Sequence, residues 1–524
     1  MRDAYQVAAV RAAEQALMDL VPDGTLMGRA AAGLASVCAA LLRAAPGYVY
    51  GARVVVLAGR GDNGGDALYA GALLARRGAA VTAIAAGPTV HPGGTAALRE
   101  AGGRVSSPAD VSYADAVPAA HPMAGADLIV DGLLGIGGRG GLRDPFASLA
   151  AEAEGSRQAG ATVVAVDLPS GIDADTWAVE GPAVRADVTV TFGAIKPGLL
   201  IDPGAGHAGT VELVDIGLGP YLETPYLETG PAASAPQRDD IRELLPRPGA
   251  ESDKYRRGVL GLLAGSDRFT GAALLSAGGA VHGGAGMVRV VTTPEAAVLV
   301  RQKWPETVVT VHPDEGDWDL LGPLGSVGRV QAWVAGPGMG TGPDADARLS
   351  AILRTDLPVL VDADGLTILS QHQDLLPRHE GDEGLAPTLI TPHAGELARL
   401  LGTDPASVEA RRLEHARRAA AQLGVTVLLK GSTTVIASPD AGPVLVNPTG
   451  TPWLATAGSG DVLSGLAGAL LAQGLVPAQA GLAGAYLHGL AGRLAAAGPG
   501  DGTAQAPIGA SDLVRALPAA FRSL

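Results

Sequence analysis

The stretch Ala455-Thr456-Ala457-Gly458-Ser459-Gly460-Asp461-Val462-Leu463-Ser464-Gly465 decides how this 524-residue chain is read. Its small residues let a backbone approach a ligand closely, and the apolar run that follows, Leu466 to Leu475, is helix-forming. Amides at the start of such a helix can cradle an anion. Asp461 then sits where phosphate chemistry would take place. Phosphate repels a carboxylate there unless a metal or a moving proton offsets the charge, so Asp461 is expected to accept a proton from an attacking hydroxyl. The competing reading is a flexible turn in which Asp461 caps the helix.

Three upstream stretches favour the phosphate reading. Lys430-Gly431-Ser432-Thr433-Thr434 follows the β-rich run Val425 to Leu429, which puts its donors at a strand end, where open α/β sheets bind ligands. Thr391-Pro392-His393-Ala394-Gly395-Glu396 follows the apolar run Thr388 to Ile390, and Asn447-Pro448-Thr449-Gly450 leads into the central stretch. With these motifs in order, the chain from about Lys254 onward resembles the ribokinase-like ADP-dependent NAD(P)H-hydrate dehydratases. The resemblance implies that Ala272, Gly338, His393 and Asp461 contact the hydrated dinucleotide. It implies that Lys430, Gly431, Ser432, Thr433, Thr434 and Gly460 hold ADP, the co-substrate; Mg²⁺ is expected with it because phosphoryl transfer generally needs its charge. Val359-Leu360-Val361-Asp362-Ala363-Asp364 is a further strand ending in acids, either beside the crevice or capping a helix.

The first half has its own strand-end chemistry. Arg53-Val54-Val55-Val56-Leu57-Ala58 is a continuous apolar run of the kind buried in a parallel sheet, and it delivers Gly59-Arg60-Gly61-Asp62-Asn63-Gly64-Gly65-Asp66 into a helix expected over Ala67 to Arg77. Further strands are expected at Val81 to Ala85, Asp127 to Val130, Thr162 to Val166, Asp187 to Thr191 and Thr210 to Val214, the spacing of a doubly wound sheet. Asp131 precedes a second glycine-rich loop containing Gly135, Ile136, Gly137, Gly138, Arg139, Gly140 and Gly141. Asp167 opens Asp167-Leu168-Pro169-Ser170-Gly171-Ile172-Asp173-Ala174-Asp175. Strand-end loops on one edge of an open sheet converge on a single crevice.

This half, roughly Val7 to Gly217, resembles the NAD(P)HX epimerase family. The resemblance implies a potassium ion held by Asn63, Asp131 and Ser170. It implies dinucleotide binding by Asp62, Asn63, Gly64, Gly65, Asp66, Gly135 to Gly141 and Asp167, with Asp167 as the catalytic group at the nicotinamide. Asp62 stands where the family has an Asn and Ala67 where it has a Gly, and the first departure adds negative charge near a phosphate.

The frame agrees with two α/β domains. The length exceeds what one core usually serves. A formal charge of −15 argues against a general nucleic-acid or anionic-membrane binder. Cys38 is the only cysteine, so no intramolecular disulfide or cysteine-built metal cluster can form. No signal-like apolar core opens the chain, and the Ala/Leu/Gly stretches at Leu463 to Leu475 and Ala478 to Ala497 read as buried helices, so a cytoplasmic location without a membrane span is expected. Four lysines, Lys196, Lys254, Lys303 and Lys430, stand among 38 basic residues, and two of them fall inside motifs.

The tandem Pro220 to Thr229 and the Pro/Ala/Ser-rich Gly230 to Pro236 read as a break in the pattern. The expected organisation is a Rossmann-like doubly wound domain over 1–228, a linker over 229–237 and a ribokinase-like α/β domain over 238–524. The expected function is repair of hydrated NAD(P)H: epimerisation in the first half and ADP-dependent dehydration in the second, by a homo-oligomer. The alternative is a ribokinase-like kinase for a vitamin precursor fused to a non-catalytic binding domain.

Overall fold

The computed structural model describes residues 1–87, 89–107, 123–223, 230–312, 327–377, 379–380, 384–385, 387–440, 442–498 and 505–524. Two compact units result, one of Asp3–Ala233 and one of Ser234–Leu524 together with Met1–Arg2. The division falls within 229–237. Met1 belongs to the second unit, where its ammonium pairs with Asp240 at 2.8 Å. Residues 224–229, which carry most of the tandem near-repeat, lie outside the described residues. The stretch Gly230 to Pro236, expected as linker, contains a buried strand, Ala233–Ala235; with no bulky side chains, its strand character rests on backbone pairing that composition does not signal.

In the first unit, seven strands form one parallel sheet: β1 (Arg53–Ala58), β2 (Ala80–Ala85), β3 (Arg104–Ser106), β4 (Leu128–Gly132), β5 (Thr162–Val166), β6 (Val188–Phe192) and β7 (Thr210–Val214). Their spatial order is β3-β2-β1-β4-β5-β6-β7, so the direction of winding reverses between β1 and β4. A crevice opens outside the C-terminal ends of strands at such a reversal. Both faces of the sheet are covered. Val54, Val56 and Ala58 enter one core with Leu34, Cys38 and Leu68, while Val55 and Leu57 enter another with Leu149 and Ala153. That alternation is the pleat of a strand buried on both sides, which is why β1 reads as an unbroken apolar run.

Helix Thr25–Ala44 is long and apolar enough to cross a membrane by length and composition. Its Ala31, Leu34, Ala35, Cys38 and Leu42 are buried in this unit's core.

In the second unit, β8 (Val259–Leu263), β9 (Met287–Thr292), β10 (Val308–Val311), β11 (Ala332–Ala335), β12 (Val359–Val361), β13 (Thr388–Ile390) and β14 (Thr426–Leu429) run parallel, and β15 (Thr434–Ala437) and β16 (Val444–Asn447) join antiparallel beside β14. The order is β16-β15-β14-β13-β12-β11-β8-β9-β10. The reversal lies between β8 and β11. On one face, helices Thr270–His282 and Ser459–Ala472 run side by side in the same direction, Leu275 meeting Gly458 and Gly283 meeting Ala469. Their spacing needs glycine: a Cβ on Gly279 would stand 2.2 Å from the Val462 carbonyl oxygen, and one on Gly465 would stand 1.9 Å from that of Ser276.

Candidate active sites

In the first unit, a cleft of about 1390 Å³ is lined by the loops after β1, β4 and β5 and by the first two helices. The helix expected from Ala67 begins at Asp62, so Asp62, Asn63, Gly64, Gly65 and Asp66 form its first turns rather than a loop. Glycine's low helix propensity hid this start. Glycine is required in that turn, since a Cβ on Gly64 would sit 2.3 Å from the Gly59 carbonyl oxygen. Asp62, Asn63, Asp66, Gly135, Ile136, Gly137, Gly138 and Asp167 line the cleft, whereas Gly64, Gly65, Arg139, Gly140 and Gly141 do not. Arg139 points to solvent and pairs with Asp175 at 2.5 Å; the Gly140 amide donates to Asp173.

Beneath the cleft, Asp131 is fully buried. It accepts from the Ser170 amide at 2.8 Å, the Ser170 hydroxyl at 2.7 Å and the Leu133 amide at 3.3 Å. Burial pushes its carboxyl up to about 6, against the lowering effect of those hydrogen bonds. The Leu134 amide donates to Ser170 Oγ at 2.9 Å. Asn63 lies against Gly135, where an added Cβ would meet its Oδ1 at 2.8 Å, and its buried Nδ2 has no hydrogen-bond partner. The three residues thus belong to elements that converge at the winding reversal.

Asp167 adopts φ 65°, a left-handed backbone that non-glycine residues reach only at a cost. It is anchored there by Lys196, whose buried Nζ lies 2.5 Å from Oδ1 and also bonds Thr191 Oγ1 and the Phe192 carbonyl. Thr191 Oγ1 donates to the same carboxylate oxygen at 3.0 Å. Asp66 has a buried Oδ1 without a partner, and burial together with Asp167, Asp62 and Glu14 holds its carboxyl well above the usual range. Glu14, which the motifs did not single out, also lines the cleft and is raised, first by burial.

In the second unit, the central stretch becomes helical earlier than expected: Gly458, at φ 82°, turns the chain, and the helix starts at Ser459. Gly460 and Asp461 therefore occupy the first turn, where backbone N–H groups are free and the macrodipole is positive. Buried His488 braces this turn, its Nε2 lying 2.9 Å from the Ser459 carbonyl oxygen, and burial lowers its pKa to about 4, which leaves it neutral. Burial raises Asp461 to about 7, helped by Asp362 and Asp364 and opposed by Lys430.

Opposite it, at the end of β14, Lys430 Nζ pairs with Asp362 Oδ1 at 2.7 Å and approaches Glu396 at 4.0 Å. Asp362 Oδ2 accepts from Ser464 Oγ at 2.6 Å, tying helix Ser459–Ala472 to the end of β12. A Cβ on Gly460 would lie 3.4 Å from Lys430 Nζ, so the amide turn and the ammonium face one small space. Ala363, between the two acids, is at φ 49°, and Asp364 accepts from the Gly340 amide at 2.9 Å. Asp362 and Asp364 thus bear on Asp461, Lys430 and the Gly336–Gly340 loop rather than only capping a turn.

Ala272 and Gly338 adjoin: a Cβ added to Gly338 would be 2.7 Å from that of Ala272. His393 caps helix Ala394–Leu401, its Nδ1 accepting from the Gly395 and Glu396 amides, while its Nε2 lies 3.6 Å from Glu396 Oε1 on a largely exposed ring. The cap occupies one ring nitrogen and leaves the other toward solvent. Gly431, Ser432 and Thr433 form the loop between β14 and β15, and Thr434 begins β15. Sequence reasoning missed Arg412 beneath this loop; its helix, rich in other arginines, carries no mark that separates it.

The comparisons agree across the whole chain. A family model described as NAD(P)H-hydrate dehydratase matches residues 260–511, and one described as YjeF-related protein N-terminus matches residues 23–198. A bifunctional NAD(P)H-hydrate repair enzyme of Mycobacterium leprae is 45% identical over 525 residues, covering 100% of both chains. Its namesake in Mycobacterium tuberculosis is 46% identical over 481 residues, 92% of this chain and 91% of the relative. One from Moorella thermoacetica is 36% identical over 491 residues, 91% and 89% of the two chains. With both halves matched and full-length relatives this similar, the chain belongs to the family of bifunctional NAD(P)H-hydrate repair enzymes.

Proposed function

We propose that the second unit dehydrates the S epimer of hydrated NADH or NADPH at the expense of ADP and that the first unit interconverts the R and S epimers. Asp461 carries the first half of this reading. A carboxyl held near pH 7 in the first turn of a helix, facing an ammonium, is ionised often enough to take a proton and stands where phosphoryl oxygens would be held.

In the dehydration, Asp461 removes the proton from the hydroxyl on the carbon beside the ring nitrogen as that oxygen attacks the terminal phosphorus of ADP. The phosphorus–oxygen bond to AMP breaks. The ring nitrogen's lone pair then helps expel phosphate, and loss of a proton from the adjacent carbon restores the double bond. Lys430, the Gly431 to Thr434 loop and the amides at Gly458 to Gly460 hold the phosphates and the developing charge. Ala272, Gly338 and the free ring edge of His393 would receive the nicotinamide. Among the described residues no group of three His, Cys, Asp or Glu side chains could hold a metal, so Mg²⁺ fits as an ion carried by the nucleotide phosphates, whose charge it would offset.

In the epimerisation, the same nitrogen lone pair assists loss and return of the hydroxyl, leaving a cationic ring in between. Asp167, fixed by Lys196 and aimed into the cleft, would face that cation. Asp131, Ser170 and Asn63 fit a potassium ion: a fully buried carboxylate bonded only to neutral donors, a hydroxyl oxygen and an amide oxygen form an oxygen-rich set. The ion would neutralise Asp131 and tie the three elements together. A cytoplasmic location suits these substrates. Incubating the purified protein with mixed NADHX epimers and either ADP or ATP, and following the return of NADH absorbance, tests the assignment; no return with either nucleotide would refute it.

A further inference from the structure

Arg412 begins helix Arg412–Leu423 and is almost fully buried, 1% exposed. Its Nη2 donates to three carbonyl oxygens of one short stretch, those of Leu429 at 3.3 Å, Lys430 at 2.8 Å and Thr433 at 3.1 Å. Its Nη1 pairs with Glu409, whose side chain is half exposed, and its Nε is buried without a partner. The guanidinium fills the inside of the loop so closely that a Cβ on Gly431 would stand 2.3 Å from Nη2.

Such a placement has a geometric consequence. In a trans peptide the carbonyl and the following N–H point in opposite directions. Turning the Lys430 carbonyl onto Arg412 therefore turns the Gly431 N–H outward, away from the guanidinium. One guanidinium nitrogen thus gathers three carbonyls within the five residues Leu429 to Thr433. Its charge is also only partly offset, since the carboxylate it pairs with, Glu409, is half exposed to water.

We propose that Arg412 is a positioning residue for the nucleotide: it holds the Lys430 to Thr434 loop with its carbonyls inward and its amide outward, and sets a fixed positive charge behind the phosphate site. A lysine in its place keeps the charge but is one bond shorter than the reach to Nη2 and lacks the second nitrogen that pairs with Glu409, so it cannot hold the three carbonyls and that anchor together. The inference rests on the assignment of this loop to ADP.

The test uses the full-length protein and measures KM for ADP and for S-NADHX separately. Arg412→Lys is expected to raise KM for ADP about tenfold or more, with KM for S-NADHX and kcat within about threefold. Gly431→Ala, which keeps every charge and displaces the guanidinium, is expected to raise KM for ADP in the same direction, and the double variant to fall short of the product of the two effects. A cooperatively folded Arg412→Lys with unchanged KM for ADP overturns the proposal. Should that variant fail to fold, an unchanged KM for ADP in Gly431→Ala overturns it equally. A rise confined to KM for S-NADHX would instead show that the loop serves the other substrate, which defeats the assignment beneath the proposal.

Discussion

Lys430 Nζ stands 2.7 Å from Asp362 Oδ1, an ion pair that joins the ends of two parallel strands beside Asp461. Asp362 is one of the charges that raise Asp461, while Lys430 lowers it. Asp362→Asn removes a repelling carboxylate and leaves the ammonium with the more distant Glu396. The pH at which dehydration reaches half its maximum should then move down, by about one unit. A pH profile of kcat/KM on S-NADHX reads this directly, and a profile displaced upward would contradict the charge arrangement.

Asp461→Asn separates chemistry from binding. Dehydration should fall by about 10²–10⁴ while nucleotide binding and epimerisation stay close to wild type. Stability should move the other way. The folded-state value of about 7 lies above the unfolded one, so between about pH 4 and pH 7 the folded chain binds more protons and loses stability as pH rises. The Asn variant lacks that loss. Its thermal midpoint should exceed that of wild type at pH 8, with the gap closing near pH 4.

Potassium should act on one unit only. Asp131→Ala removes the buried carboxylate that Ser170 engages through both its amide and its hydroxyl. With R-NADHX as sole substrate, turnover in the variant should slow to the spontaneous epimerisation rate, whereas S-NADHX dehydration should be unchanged. Replacing potassium by a larger organic cation should slow wild-type epimerisation in the same selective way.

The two cores predict independent folding. Chains cut at Gly230, ahead of the buried strand Ala233–Ala235, should each unfold cooperatively, because the buried clusters of the two sheets draw on separate sequence ranges. Each half should carry one activity. Two insoluble fragments would place the boundary elsewhere.

Much of this architecture was legible in the residues, for identifiable reasons. Strands such as Arg53–Ala58 and Thr162–Val166 are buried on both faces and so are written as unbroken apolar runs. Helix starts were less legible. Asp62 and Ser459 open helices through glycine-rich turns whose composition reads as loop, yet Gly64 is there because the Gly59 backbone leaves no room for a Cβ, and Gly458 because the chain turns at φ 82°. Strand-end motifs picked out Asp131 and Ser170, but their hydrogen bond spans 39 positions, and only the fold brings them together. The left-handed backbones at Asp167 and Ala363 leave no sequence mark at all, since neither residue type favours that conformation as glycine does.

The central claim is that one chain returns both epimers of hydrated NADH to NADH. Purified protein should be given an equilibrated mixture of R- and S-NADHX with excess ADP, and the final NADH recovered should be compared with that from Asp131→Ala over the same short interval. Complete recovery by wild type, recovery of only the S fraction by Asp131→Ala and none without nucleotide are the predicted results. Wild-type recovery that stops at the S fraction would contradict the account.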